Sequence, residues 1–190
     1  GGIAGLTINA DGSFMFDTSD AAYEDLDTGD VSTINVTYSV TDPNSDEGNG
    51  AFDIVITGTN DAPVATFTTP QTVAEDAAAI TDTLTATDAD AGDVLTFTLD
   101  AVTDGLTLAG AVWTFDPSDA AYQSLAIGES QIITVNYTVT DSQNATDQES
   151  FEITVTGAND APVATFNTQQ DVNEGSGMAP GQLTATDIDT

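Results

Sequence analysis

The sequence has no lysine, arginine, histidine or cysteine in its 190 residues, against 32 aspartates and glutamates and a formal charge of −32. Each absence excludes something. Nucleic acid and anionic membranes are bound through Lys and Arg, so both are excluded as partners. Without Cys there is no disulfide, and without Lys there is no Lys–Asn isopeptide cross-link, the two covalent staples common outside the cell. General acid–base and nucleophilic chemistry is left with carboxylate pairs alone. No apolar run approaches the roughly 20 residues of a membrane helix, which argues against direct membrane insertion. No signal peptide opens the chain, and Gly1-Gly2-Ile3 reads as the middle of something longer.

What is present is acid and core. Hydrophobic residues make up 39% of the chain, enough to build a packed interior. The carboxylates have no internal partners, and two unit charges 4 Å apart repel by about 4 kcal/mol at an effective dielectric near 20. Any native carboxylate cluster must therefore recruit an external cation or pull the structure apart. With no disulfide available, a bound metal is the remaining candidate staple.

The chain repeats itself. FDTSDAAYEDL (16–26) answers FDPSDAAYQSL (115–125), VTYSVTD (36–42) answers VNYTVTD (135–141), and GTNDAPVATF (58–67) answers GANDAPVATF (157–166). LTATDAD (84–90) answers LTATDID (183–189), at a constant offset of 99 residues from Asp17/Asp116 onward. A period of that length is one domain rather than a small solenoid unit. With Asn-Asp-Ala-Pro as the boundary, residues 1–60 are the rear of one domain, 61–159 a whole domain, and 160–190 the front of a third.

Alternation at period two dominates the whole repeat. Leu95, Phe97 and Leu99 share one face, as do Ile133, Val135, Tyr137 and Val139, then Phe151, Ile153 and Val155, while Trp113 and Phe115 form a further inward pair. Gly, Asp, Asn and Pro punctuate these runs at sandwich intervals. Ser118–Ser124 reads as a short helical turn inserting Tyr122 and Leu125. The expected class is all-β, in tandem seven-stranded Greek-key β-sandwich domains.

The acidic motifs fall at the ends of these strands. Asn60-Asp61 and Asn159-Asp160 lie between a strand ending in Thr-Gly and a Pro that fixes the next chain direction. Their oxygens suit a hard cation such as Ca²⁺, and equally suit a turn. Asp88 and Asp90, on alternate positions, can face one site, and Asp141 closes the long strand that should return to the same end. These three, near Asn60, form either a dication site or a solvated acidic loop. Asp42-Pro43-Asn44-Ser45-Asp46-Glu47-Gly48 has oxygen ligands at alternate positions but not EF-hand spacing, so it is a private site or a solvated hairpin loop.

Gly-Thr-Asn-Asp at 58–61, the Leu-Thr-Ile-Asn-Ala-Asp-Gly-Ser-Phe run at 6–14 and the Ala-Ala-Tyr-x-x-Leu-x-x-Gly pattern at 21–29 and 120–128 resemble VCBS repeats. These are Ig/cadherin-like modules strung in tandem through giant bacterial surface proteins, including RTX-type adhesins. The resemblance implies calcium bound between consecutive domains. Its ligands would be the Asp-x-Asp loops Asp88/Asp90 and Asp187/Asp189, the early glutamates Glu75 and Glu174, and the linkers Asn60/Asp61 and Asn159/Asp160. Two departures stand out: the linker is one residue shorter than Asn-Asp-Asn-Ala-Pro, and the cadherin Asp-Arg-Glu element is absent. Asp17/Asp20 and Asp116/Asp119 are its approximate stand-ins.

Catalysis is not expected. Asp27-Thr28-Gly29 matches the Asp-Thr-Gly of aspartic proteases, but its repeat counterpart is Ala126-Ile127-Gly128, which marks a chance tripeptide in a turn. The expected role is a secreted spacer at the bacterial cell surface, its partners being Ca²⁺ and the neighbouring repeats of its own chain. The rival expectations are a glycan- or protein-binding module, with exposed aromatics in one repeat that its neighbour lacks, and self-association with other copies by strand addition.

Overall fold

The computed structural model describes residues 2–178 and 180–189. Gly1 and Thr190, outer bounds of the expected first and last pieces, and Ala179 in the last piece lie outside the described residues. The described residues form strands and turns with no helix, so no helix there is long and apolar enough to cross a membrane. In chain order the strands are β1 (Leu6–Ile8), β2 (Phe14–Phe16), β3 (Val31–Thr41), β4 (Glu47–Thr57), β5 (Val64–Ala65), β6 (Gln71–Ala74), β7 (Ile80–Thr83) and β8 (Ala86–Thr87). There follow β9 (Thr96–Leu99), β10 (Leu106–Ala109), β11 (Val112–Phe115), β12 (Ser130–Thr140), β13 (Thr146–Thr156), β14 (Val163–Ala164) and β15 (Ala185–Thr186).

Two compact units emerge. The first gathers Gly1–Thr66, Thr85–Phe97 and Thr138–Gln148; the second gathers Phe67–Leu84, Thr98–Tyr137 and Glu149–Thr190.

In the second unit, β7, β10 and β11 make one antiparallel sheet, with Trp113 opposite Leu108 on one side and Asp82 on the other. The other sheet has the order β6-β13-β12-β9, and its β6 runs parallel to β13, Gln71 to Ala74 against Ile153 to Thr156. Inward residues at period two put Trp113 and Phe115 of one sheet against Phe151, Ile153 and Val155 of the other, all buried. Trp113 and Phe151 lie 5.1 Å apart between ring centroids, and Phe67 meets Phe151 edge-on at 5.1 Å. Aromatic pairs of this kind add about 0.5–1.5 kcal/mol each beyond the area they bury. The buried Tyr137 hydroxyl accepts from the Phe67 amide at 3.0 Å and donates to the Phe67 carbonyl at 3.1 Å, pinning this segment to β12.

The expected helical turn at Ser118–Ser124 is instead a string of turns. Bonds from Tyr122 N to Asp119 O and from Leu125 N to Tyr122 O close three-residue loops. Asp116 Oδ1 takes the Ser118 amide and hydroxyl, and Asp119 Oδ1 takes the Ala121 amide. Such side-chain bonds compete with helical continuation. Tyr122 still inserts as expected and is buried.

In the first unit, β1 pairs with β2, and β3 pairs with β4 as an eleven-residue hairpin from Val31↔Thr57 to Thr41↔Glu47. Its tip is residues 42–46, the first part of the Asp42–Gly48 stretch, whose Glu47 and Gly48 already pair in β4. There Asp42 Oδ1 accepts from the amides of Asn44 and Asp46, both at 2.9 Å, and Ser45 takes φ 75°. Phe14 and Tyr38 are 51% and 46% exposed, whereas their repeat equivalents Trp113 and Tyr137 are 0% exposed. The cause is pairing: β3 and β4 stand as two strands, whereas β12 and β13 are flanked by β9 and β6.

Candidate metal centre

The site lies in the first unit, where the chain leaves β4. Gly58 donates to the Asp30 carbonyl at 2.9 Å and passes against the turn before it. A Cβ at Gly58 would lie 2.3 Å from the carbonyl oxygens of both Leu26 and Asp27, so only glycine allows this passage. Beyond it, β5 pairs with β8, Val64 to Thr87 and Ala65 to Ala86, and the Ala65 amide donates to Asp147 Oδ2 at 2.9 Å. This short ladder sets the linker residues Asn60 and Asp61 beside the loop that begins at Asp88.

The contacts there run in sequence from one residue to the next. The Asp61 amide donates to Asp90 Oδ2 at 2.7 Å, and the Asp90 amide donates to Asp88 Oδ1 at 3.1 Å. Asn60 Nδ2 donates to Asp141 Oδ2 at 2.9 Å and to the Asp61 carbonyl at 2.8 Å. Since the carboxylate can only accept, the nitrogen must be the amide atom facing Asp141, which leaves Oδ1 on the other side. Asp141 Oδ1 meanwhile accepts from the amides of Gln143 and Ala145, the same turn that Asp42 makes in the first hairpin.

Burial and hydrogen bonding act in opposite directions on these acids. Asp90 is 3% exposed, and burial, followed by the charges of Asp27, Asp61 and Asp88, raises its pKa against the lowering effect of the Asp61 amide. Burial also pushes Asp141 up, but the Asn60 side chain and the amides of Ala145, Gln143 and Asn144 outweigh it and hold the group below its ordinary value. A carboxylate oxygen from each of Asp88, Asp90 and Asp93 lies within 4.8 Å of the others. At that separation each ionised pair repels by at least about 3 kcal/mol at an effective dielectric near 20.

Four buried oxygens at this place have no hydrogen-bond partner: Asn60 Oδ1, Asp88 Oδ2, Asp90 Oδ1 and Asp93 Oδ2. Buried polar atoms are normally satisfied. An all-oxygen, mostly anionic donor set of this kind fits a hard dication, and Ca²⁺ takes six to eight such oxygens. The residues therefore fit the ion implied by the sequence.

A second cluster lies in the second unit, at the 99-residue repeat of the first. The Asp160 amide donates to Asp189 Oδ2 at 2.8 Å, the Asp189 amide to Asp187 Oδ1 at 3.1 Å, and Asn159 Nδ2 to the Asp160 carbonyl at 2.6 Å. Asp189 Oδ1 is buried without a partner. Glu75, placed by the parallel β6–β13 register, is 0% exposed; it accepts the Ala158 amide at 2.7 Å and the Leu125 amide at 3.4 Å. Burial, then Asp76, Asp189, Glu75 and Asp187, raise the pKa of Asp160.

The other expected ligands make local contacts. Asp17 and Asp20 cap local turns through Ser19 and Ala22, just as Asp116 and Asp119 do through Ser118 and Ala121. Glu174 is exposed in the turn closed by Ser176 N and Asn173 O.

Several participants were not singled out by sequence. Asp93 is held by the Ser142 hydroxyl at 2.5 Å. The Asp25 carbonyl receives the Ala91 amide at 3.4 Å, and the Asp27 carboxylate receives Gln143 Nε2. The Asp27-Thr28-Gly29 tripeptide does occupy a turn, and its carboxylate lies against this site. Asp93 had one available signal, its place at the end of Asp-x-Asp-x-x-Asp.

A search of curated proteins finds no match. Among solved structures, the chain resembles human CDH23 EC21-23, with a TM-score of 0.57 and 17% identity, covering 98% of this chain and 62% of that one. It also resembles mouse Cadherin-23 EC22-24, with a TM-score of 0.51 and 17% identity over 99% of this chain and 62% of that one. Protocadherin Gamma B7 extracellular cadherin domains 1-4 match with a TM-score of 0.51 and 18% identity, over 97% and 47% of the two chains. The chain thus spans about half to three fifths of those structures, and at these identities the likeness is one of fold: all-β and Ig/cadherin-like, as the sequence predicts. The family profile described as Bacterial Ig domain matches residues 60–154, half of the sequence, and the chain belongs to that family.

Proposed function

We propose that this chain is a run of tandem Ig/cadherin-like modules, bounded at Asn60/Asp61 and Asn159/Asp160, whose joints are stiffened by Ca²⁺. Its role is mechanical and non-catalytic: it acts as a spacer of a large secreted bacterial surface adhesin of the VCBS and RTX type. It works outside the cell, where its partners are Ca²⁺ and the adjoining modules.

One observation carries the proposal. Buried oxygens without partners converge where the linker Asn60-Asp61 meets the Asp88–Asp93 loop, in a chain with no cation of its own. Asn60, Asp88, Asp90 and Asp141 would hold the ion, with Asp61 orienting Asp90 through its amide. At the second joint the corresponding group is Asn159, Asp187 and Asp189, joined by Glu75, with Asp160 orienting Asp189 through its amide. When bound, the ion supplies the positive charge that lets these carboxylates stay together. The chain's own residues fix the linker: Gly58 lets it pass close to the preceding turn, Pro63 sets its exit, and the β5–β8 ladder anchors the far side.

Extracellular modules bind calcium with Kd around 10⁻⁴–10⁻³ M. One site at ten times Kd adds about 1.4 kcal/mol to the bound form, and several sites at one joint turn a compliant linker into a stiff one. Small-angle scattering and thermal melting with and without EDTA test this. Calcium is expected to extend the scattering profile and raise the melting temperature; if both are unchanged, the proposal is wrong.

A further inference from the structure

We propose that Asp93 is a side-chain ligand of the same cation site, a fourth carboxylate beside Asp88, Asp90 and Asp141, and that Ser142 is its positioning residue. This rests on the calcium reading of the joint and adds to it a residue outside the Asp-x-Asp loop and the linker.

Three observations carry it. A carboxylate oxygen of Asp93 lies within 4.8 Å of oxygens from both Asp88 and Asp90. Asp90 is 97% buried by its 3% exposure, and its Oδ1 has no partner. Asp93 itself is divided between two tasks: Oδ1 accepts the Ser142 hydroxyl at 2.5 Å, while Oδ2 is buried and unpartnered. A solvated acid would not bury an unpaired oxygen beside two other carboxylates, because each such pair costs free energy in proportion to its closeness. Bonding one oxygen to Ser142 fixes the carboxylate plane, so the buried second oxygen is not free to rotate into water.

Ser142 also lies beside a further contact of this region. The Ser142 hydroxyl also lies 2.8 Å from Gln143 Oε1, and Gln143 Nε2 donates to the Asp27 carboxylate. The single Ser142 proton goes to Asp93, so Gln143 Oε1 is a neighbour of that hydroxyl and not a second acceptor of its proton, and Gln143 meets Asp27 independently.

A ligand and a structural acid give opposite signatures when the charge is removed. In Asp93→Asn the shape is kept, but the negative charge is gone and one oxygen is replaced by an NH2 group. A ligand role predicts a higher melting temperature in EDTA, because repulsion from Asp88 and Asp90 is relieved. It also predicts about tenfold weaker calcium uptake at one site, because affinity follows ligand charge. A merely structural acid would lose stability in both conditions.

The experiment uses the full 190-residue chain and Ca²⁺ as the probe. Calorimetric titration is combined with melting in EDTA and in calcium for the parent, Asp93→Asn and Ser142→Ala, with the near-ultraviolet circular dichroism of buried Trp113 reporting the fold. Ser142→Ala is expected to weaken the same site by a smaller factor. A parent that takes up no calcium overturns the joint reading and this inference with it. A parent that binds while Asp93→Asn binds within about twofold of it overturns the assignment of Asp93 alone, as does an Asp93→Asn variant that melts lower in EDTA or loses the Trp113 signal.

Discussion

Asn60 Nδ2 reaches Asp141 Oδ2 at 2.9 Å across 81 positions of sequence, tying the linker to the far end of β12. The bond satisfies the buried Asp141 carboxylate and at the same time turns Asn60 Oδ1 away from it. Asn60→Ala removes both effects. Leaving a buried acceptor without its donor costs about 1–3 kcal/mol, so the midpoint of urea unfolding should fall by that equivalent in EDTA. Calcium should restore less of it than in the parent, because an oxygen ligand is also gone. A calcium-induced shift equal to the parent's would remove Asn60 from the ligand set.

The passage at Gly58 can be tested without touching any candidate ligand. In Gly58→Ala the new methyl would meet the Leu26 and Asp27 carbonyls at 2.3 Å, so the linker must move. Overpacking of this kind costs about 1–3 kcal/mol. The expected outcome is a lower melting temperature together with weaker calcium uptake measured by titration. Unchanged affinity would mean that the ligands do not depend on the linker path.

Tyr122 gives the fold an alkaline limit. Its hydroxyl donates to the Asp104 carbonyl at 2.8 Å, and burial, followed by the charges of Asp104 and Asp119, raises its pKa above the ordinary 10.0. The folded chain therefore keeps this proton at a pH where the unfolded chain has lost it. Its contribution is fully present below the unfolded value and is lost as pH rises through the folded one. Urea midpoints recorded from pH about 8 to about 11 should fall in the upper part of that range. Tyr122→Phe should flatten the fall while lowering stability at neutral pH, and an equally steep fall in the variant would place the titrating group elsewhere.

The sheets were legible in the sequence because their evidence is local. Val135, Tyr137 and Val139, or Phe151, Ile153 and Val155, declare an inward face within five residues, and the structure buries all six. Asn60, Asp88 and Asp90 were legible for a different reason: the phrase containing each recurs after 99 residues, which local turn chemistry alone does not require. Asp93, Ser142 and Gln143 were not legible, since their contacts span 49 and 116 positions and exist only once the hairpins have closed. Asp17, Asp20, Asp116 and Asp119 show a local role that sequence did not distinguish. Each bonds an amide two residues ahead through Oδ1, the turn chemistry that acids share with ligand loops.

Ala126 stands where the earlier repeat has Asp27, and Ser124 where it has Asp25. The Asp27 carboxylate that Gln143 meets beside the Asp88–Asp93 loop therefore has no counterpart beside Asp187 and Asp189. If both acidic groups take up calcium, they release it at different ion concentrations, so one loosens before the other.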